Sequence, residues 1–551
     1  MKKLMAGVFA AVVAAVSFAD NAARVSLDNG ETWTEYETLD AAMKQIWTGQ
    51  DSNGHPEKSP EQRFWILELL RDCTFSDGAS TELWRYNNID VTIRSNPESG
   101  QRYEMKRTAA SSKIRWKCGN LWHKGMKLRF ENVIIDGGTV WTNPIDPAAD
   151  EATNLASTGV DAGILLEEEQ TRGVVFGSGC VVRNAKGASG SSVISFKQDG
   201  SDSDQICFEK GSHVTGIRGA GDCKLVTASH NTGATQKLTF DSAADIDDCF
   251  AGASGSIVNL QCEAYLTGGE IKDNVSLGVI VRMNMGSGLS LSDVTIVDNK
   301  IGGQSTDNQW TAAYGVVGIG NTGFNGYRFS GTVIVRNNTR IGDGSSAGVW
   351  TGQEHHYLRV DGPIDPSSWI EFGQVNRGVG EGKVIAGNYE IAETASGFER
   401  FFAIGNPVGG KYFVGKLNAA GDKIVYTAAK AYANAGVTQE LTGDLGTGTY
   451  VFNFDENLSA GQTKVAGSVT WDADTVLSLG VSRAVLAMTK GNWVIPLLTA
   501  TAINGFDTFL AAKGEALELP KNWELRKVAL ASGEEQVQLY RKAQGLMLIL
   551  R

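Results

Sequence analysis

Acid–base chemistry on a polymer needs paired carboxylates. The sequence offers three acids in suggestive settings: Asp90 in Asn88-Ile89-Asp90, and the pair Asp247-Asp248. Two carboxyl groups that cleave a glycosidic bond must stand within about 5–10 Å of each other. Residues 90 and 247 are separated by several repeats of the chain, so no catalytic residue is assigned. Asp199-Gly200-Ser201-Asp202-Ser203-Asp204 could offer oxygen ligands to Ca²⁺. It lacks the terminal bidentate Glu of a known calcium loop, and a solvated turn is the preferred expectation, so no cofactor is expected. Glu167-Glu168-Glu169 is expected to be a solvated edge. His355-His356 is the one His pair, and neighbours on a strand point to opposite faces, which argues against a shared metal. No Ser-His-Asp elbow and no phosphate-binding Gly loop occur.

One segment departs from the acidic background. Arg102 to Arg129 holds nine bases and a single acid, Glu104. Within it, Arg115, Trp116, Lys117, Trp122, His123 and Lys124 form the candidate ligand-binding set. Aromatic rings stack on sugar C–H faces while cations pair with carboxylate or sulfate, so the ligand expected here is an acidic glycan. The competing expectation is a solvated strand face whose Trp residues belong to the core.

The elements that would position these residues come from the wider pattern. The chain has 551 residues and a net charge of −12, which argues against nucleic-acid binding. Gly is abundant at 66 and Pro scarce at 10, as suits many tight turns between fully hydrogen-bonded strands. Lys2-Lys3, the apolar run Leu4 to Val16 and Ser17-Phe18-Ala19 have the layout of a cleaved signal peptide, so export is expected. No later segment looks like a transmembrane helix. The seven cysteines show no metal-ligand spacing, and most are expected to be buried fillers.

Seven segments repeat a motif: they open at Phe130, Phe176, Phe208, Phe240, Leu266, Leu291 and Phe329. Most close at their ninth residue: Asn184, Gly216, Asp248, Asn274, Asn299 and Asn337. The first is shorter and closes at Gly137. Successive openings are separated by roughly 25 to 46 residues, one unit each. The apolar runs are short and bounded by Gly, Asn and Asp, which predicts strands rather than helices. The closing residue is expected to take a left-handed turn and bond the next unit. The longest gap holds a polar insert, Trp141 to Gly159, expected as a surface loop.

The stretch Phe64 to Asn96, FWILELLRDCTFSDGASTELWRYNNIDVTIRSN, resembles the opening coils of pectin-lyase-like β-helix proteins, as does Leu128 to Gly138. Phe329 to Ile341 resembles repeats in passenger regions of polymorphic outer-membrane proteins, and Tyr357 to Phe372 continues that style. The resemblance implies an all-β fold, a right-handed parallel β-helix (β-solenoid). Polygalacturonase-like members carry clustered carboxylates in an Asn-x-Asp and an Asp-Asp, which Asn88-Ile89-Asp90 and Asp247-Asp248 resemble, with a His-Gly pair and a late Arg-x-Lys. This chain has no His-Gly, and Arg115-Trp116-Lys117 precedes Asp247-Asp248, so no catalytic role carries over. The implied organisation is a signal peptide (1–19), a cap with a short helix begun by Thr38 or Asp40 (20–63), a β-helix (64–415) and β-rich coils or a cap (416–551). Leu546 to Leu550 is expected to be a last buried strand.

Fold alone does not set function. The leading expectation is a secreted or surface-displayed, adhesin-like protein binding a glycan or surface partner without catalysis. The alternatives are a polysaccharide lyase or hydrolase acting on an acidic polysaccharide, and a structural stalk.

Overall fold

The computed structural model describes residues 21–48, 64–76, 80–83, 90–118, 127–169, 173–198, 205–230, 239–283, 288–302, 315–319, 326–342, 344, 346–350, 357–365, 368–373, 380–386, 388–391, 401–402, 408, 410–455, 457–481, 483–517 and 519–542. The fold is all-β, with few and short helices. The signal-peptide segment, the Asp199–Asp204 turn, His355-His356 and Leu546–Leu550 lie outside the described residues. No described helix is long and apolar enough to cross a membrane. The chain divides into two compact units. One comprises 1–289, 299–313 and 319–324; the other comprises 290–298, 314–318 and 325–551.

In the first unit, strands pair in parallel with strands one repeat later. Lys127–Glu131 pairs with Gly173–Phe176, which pairs with Gln205–Phe208, then Thr239–Ser242 and Glu263–Thr267. A second row runs through Val133–Asp136, Val181–Arg183, His213–Thr215 and Asp245–Asp247. A third runs through Ile114–Cys118, Leu166–Glu169, Ser192–Gln198, Lys224–His230 and Ser256–Leu260. Alternate side chains of each strand point inward. They stack like on like: Phe130, Phe176 and Phe208 are in register and buried, with Phe176 and Phe208 ring centroids 4.4 Å apart.

The repeat phase differs from the sequence alignment at one repeat. Phe240 pairs with Ile206, and Ser242 takes the place beside Phe208. The next row keeps its expected alignment, with His213 opposite Asp245, so the segment opening at Phe240 begins two positions earlier on its strand than its predecessors.

The closing residues also divide into two roles. Asn184, Gly216, Asp248 and Asn337 have positive φ, as expected; in the segments opening at Leu266 and Leu291 the positive-φ residues are Asp273 and Asp298 instead. Asn274 and Asn299, one residue further on, are fully buried. Asn274 Nδ2 donates to Asn299 Oδ1 at 3.0 Å and to Ile246 O at 2.9 Å; Asn299 Nδ2 donates to Ile271 O at 2.8 Å. A short acid thus supplies the left-handed turn, and the following amide satisfies backbone groups of the neighbouring repeat.

The N-terminal cap follows the sequence closely. The helix spans Leu39–Thr48, and Thr38 Oγ1 accepts from Ala41 N at 3.2 Å. That bond is the one an N-cap makes. Asp40 serves instead to hold Ser76. The strand Ala23–Ser26 runs antiparallel to Phe64–Leu69, covering the first edge. Glu68, 1% exposed, is held between Arg24 and Arg94.

The insert expected as a surface loop docks on the sheet. Thr139–Trp141 pairs antiparallel with Ser157–Gly159, and Asp150 caps the short helix Glu151–Asn154. Buried Arg218 donates to Asn143 O and Asn154 O and lies 4.5 Å from the Trp141 ring centroid. Glu151 accepts from Gly221 N and Ala253 N. Replacing Arg218 by Met removes two charge-assisted bonds, each worth about 1.5–3 kcal/mol. The expected result is faster proteolysis between Thr142 and Ala156; unchanged cleavage would contradict the docking.

The second unit mixes parallel and antiparallel pairs. Tyr327–Arg336 pairs in parallel with Tyr357–Ile364 and Trp369–Gly373. Ala431–Ala433, Thr449–Asn453 and Val476–Gly480 form a parallel three-stranded sheet. Thr438–Thr442, Gln462–Thr470 and Trp493–Asn504 are parallel, and Glu535–Arg541 and Trp523–Ala529 add antiparallel. This region has its own core, in which Trp471 packs on Tyr450, Phe506 and Phe509.

Candidate functional site

Among the described residues, part of the basic segment is engaged with acids and with backbone carbonyls. Lys113 Nζ and Arg115 Nε lie 2.7 and 3.1 Å from the Glu167 carboxylate, since Glu167 stands opposite Arg115 in the parallel register. Arg129 pairs with Glu209 at 2.7 Å. Arg107 is 1% exposed and donates to the Gly137, Gly163 and Ile164 carbonyls; burial lowers its pKa to about 10. In the backbone register, position 116 aligns with Glu168, Phe196, Ala228 and Leu260, and those four are buried. Trp122, His123 and Lys124 lie outside the described residues. Three of the nine bases, Lys113, Arg115 and Arg129, are therefore met by acids one repeat or more away.

The remaining sequence candidates are also dispersed. Glu168 is fully buried rather than solvated. Asp247 Oδ1 lies 3.0 Å from His213 Nε2, which donates to it in the tautomer protonated there; the pairing raises the His213 pKa. Asp248 serves a left-handed turn, and burial raises its pKa. Cys73, Cys180, Cys207, Cys223, Cys249 and Cys262 are free, and Cys180, Cys223, Cys249 and Cys262 are buried, in line with the filler role. Burial pushes the Cys73 thiol up to about 12, so it is unreactive at neutral pH. Among the described residues no group of three metal-ligating side chains occurs.

Chemically distinctive groups converge elsewhere, in the second unit, around a cavity of about 700 Å³. That volume lies in the range of small-molecule sites, roughly 300–1,000 Å³. Trp369 and Glu371 share one strand two residues apart and so share a face. Val335 stands opposite Ile370 in the parallel register, which brings Arg336 to the position beside Glu371. Tyr432 comes from Ala431–Ala433, and its ring meets that of Trp369 edge-on at 5.9 Å. Asn453 and Asp455 lie at and just past the end of Thr449–Asn453. Gly480 is paired with Asn453; a Cβ there would stand 2.7 Å from Asn453 Oδ1 and 2.9 Å from Trp369, so a side chain would displace the cavity wall.

Glu371 is 2% exposed. Burial raises its carboxyl pKa to about 7, opposed by hydrogen bonds and by the charge of Arg336. Ser346 Oγ donates one of those bonds, at 2.8 Å. Burial likewise holds the Tyr432 phenol well above its ordinary value, with the Glu371 charge adding to the effect. Two lining atoms, Arg336 Nε and Asn453 Oδ1, are buried with no hydrogen-bond partner among the described residues. Such groups are costly unless a partner is supplied. Asn337, Asn338 and Asn434 add further amides to the lining, and Asp298 a second carboxylate alongside Asp455. The lining is thus rich in amides and carboxylates, with one guanidinium and two large aromatic rings, Trp369 and Tyr432, beside Phe454.

No protein-family model, curated protein or solved structure matches the chain.

Proposed function

We propose that this chain is an exported right-handed parallel β-helix, pectin-lyase-like in its repeats, that acts outside the cytoplasm as an adhesin-like protein and binds a saccharide in the Glu371 cavity. The in-register parallel rows of the first unit support the β-helical part, because stacked repeats bury what one repeat alone cannot. The observation that carries the binding part is the cavity lining. Amides and carboxylates match sugar hydroxyls, and the rings of Trp369 and Tyr432 suit apolar C–H patches. The basic segment is the weaker candidate, since Lys113, Arg115 and Arg129 already meet acids.

The test is a glycan array probed with the chain from Asp20 to Arg551. Saccharide binding that falls at least tenfold in Arg336→Met supports the cavity. Loss in the Arg115→Ala/Lys117→Ala double variant, with Arg336→Met unaffected, would move the site to the basic segment. A polysaccharide-cleaving role is the second reading. It is favoured by one observation: a carboxyl with its pKa near 7 stands in the same cavity as Asp298 and Asp455. Product release from the bound glycans, abolished by Glu371→Gln, would establish it.

A further inference from the structure

We infer that the saccharide held in the Glu371 cavity is neutral rather than acidic, an inference that rests on the saccharide reading above. Two features of the lining bear on this choice, and the first decides it.

The first is charge. Asp298 and Asp455 face the cavity together with Glu371, against a single guanidinium, Arg336. Asp455 is fixed in place, since its Oδ1 accepts from Asn457 N and Ser459 N at 2.9 and 2.7 Å. A uronic acid or sulfated sugar would add negative charge to a site where carboxylates already outnumber cations. Like charges brought together in a partly enclosed site select strongly against a ligand.

The second is hydrogen-bond polarity. The two unpartnered buried atoms are of opposite kind: Arg336 Nε is a donor and Asn453 Oδ1 an acceptor. A sugar hydroxyl both accepts and donates, so neighbouring hydroxyls satisfy both atoms. A carboxylate or sulfate only accepts. It would answer Arg336 alone, so in an acidic sugar, as in a neutral one, a hydroxyl must meet the Asn453 oxygen. Trp369 and Tyr432 supply the apolar surface on which an uncharged ring lies.

This selection is opposite to the one expected from the basic segment, where acidic glycans were anticipated. The two sites therefore make different demands on the same set of probes.

The experiment is calorimetric titration of the Asp20–Arg551 chain with tetrasaccharide pairs of matched linkage: galactan and galacturonan, glucan and glucuronan, mannan and mannuronan. Titration in about 50 mM salt keeps charge effects visible. In whichever pair binds, the neutral member is expected to bind at least tenfold more tightly. Asp298→Asn should narrow that gap at least threefold. Position 298 has a φ of 57°, in the left-handed region. Asn is among the residues that adopt it readily, so the variant keeps the turn. Tighter binding of the uronate member would overturn the inference and leave the saccharide site standing. A gap unchanged in Asp298→Asn would overturn the charge argument. Failure of all three pairs to bind would overturn the saccharide reading, and the inference with it.

Discussion

Glu371→Gln stabilises the second unit at pH 8, and most of that gain is gone at pH 5. The carboxyl is nearly fully buried, and its pKa stands raised from 4.5 to about 7. In the unfolded chain it ionises near the lower value. Between the two values the folded state holds a proton that the unfolded state has released, so stability falls as pH rises through this window. Above pH 7 the full cost of the buried charge is present. A shift of that size corresponds to about 3 kcal/mol. Gln keeps the shape and an acceptor for Ser346 without any charge to bury. At pH 5 the folded-state carboxyl is neutral like Gln, and most of the difference vanishes. For a unit of this size, about 3 kcal/mol moves a thermal midpoint by on the order of 8 °C. Equal midpoints of wild type and variant at pH 8 would show that the carboxyl is not desolvated as described.

Phe208→Ala should cost the first unit about 3–5 kcal/mol, as large-to-small changes in closely packed cores do. The ring is 1% exposed. It stacks on Phe176 at 4.4 Å, meets Phe240 at 5.6 Å and stands edge-on to Phe196 at 6.3 Å. Because its partners come from the preceding and following repeats, the cavity left behind cannot be closed by moving one strand. Chemical denaturation followed through the first unit reads the effect. Phe208→Leu, which retains most of the volume, should cost far less. Equal, small losses for both variants would show that repeats do not stack through this row.

Much of the repeat architecture was legible in the sequence. The openings at Phe130, Phe176 and Phe208 set the inward row, and Asn184, Gly216, Asp248 and Asn337 set the left-handed corners. The cap helix was legible because Thr38 stands just before its apolar periodicity. The shifted phase at Phe240 was hidden, because spacing counts residues without saying which corner absorbs an extra one. The Asp273/Asn274 and Asp298/Asn299 pairs were read one residue out, since either member can take a positive φ and only burial tells which turns inward.

The cavity was not legible as a site. Its residues come from strands far apart in the chain and match no motif. One signal did exist: in Ser368-Trp369-Ile370-Glu371-Phe372, alternation puts a carboxylate on the same face as a Trp inside an otherwise apolar strand. The basic segment shows the converse. Charge runs are visible along the chain, but the neutralising acids Glu167 and Glu209 arrive from later repeats.

The most direct test of saccharide binding in the Glu371 cavity is crystallographic: crystals of the Asp20–Arg551 chain grown with the tightest-binding neutral tetrasaccharide. We expect sugar density against Trp369, with hydroxyls at Arg336 Nε and Asn453 Oδ1. Density along Arg115 and Lys117 with none beside Glu371 would contradict the assignment of the site.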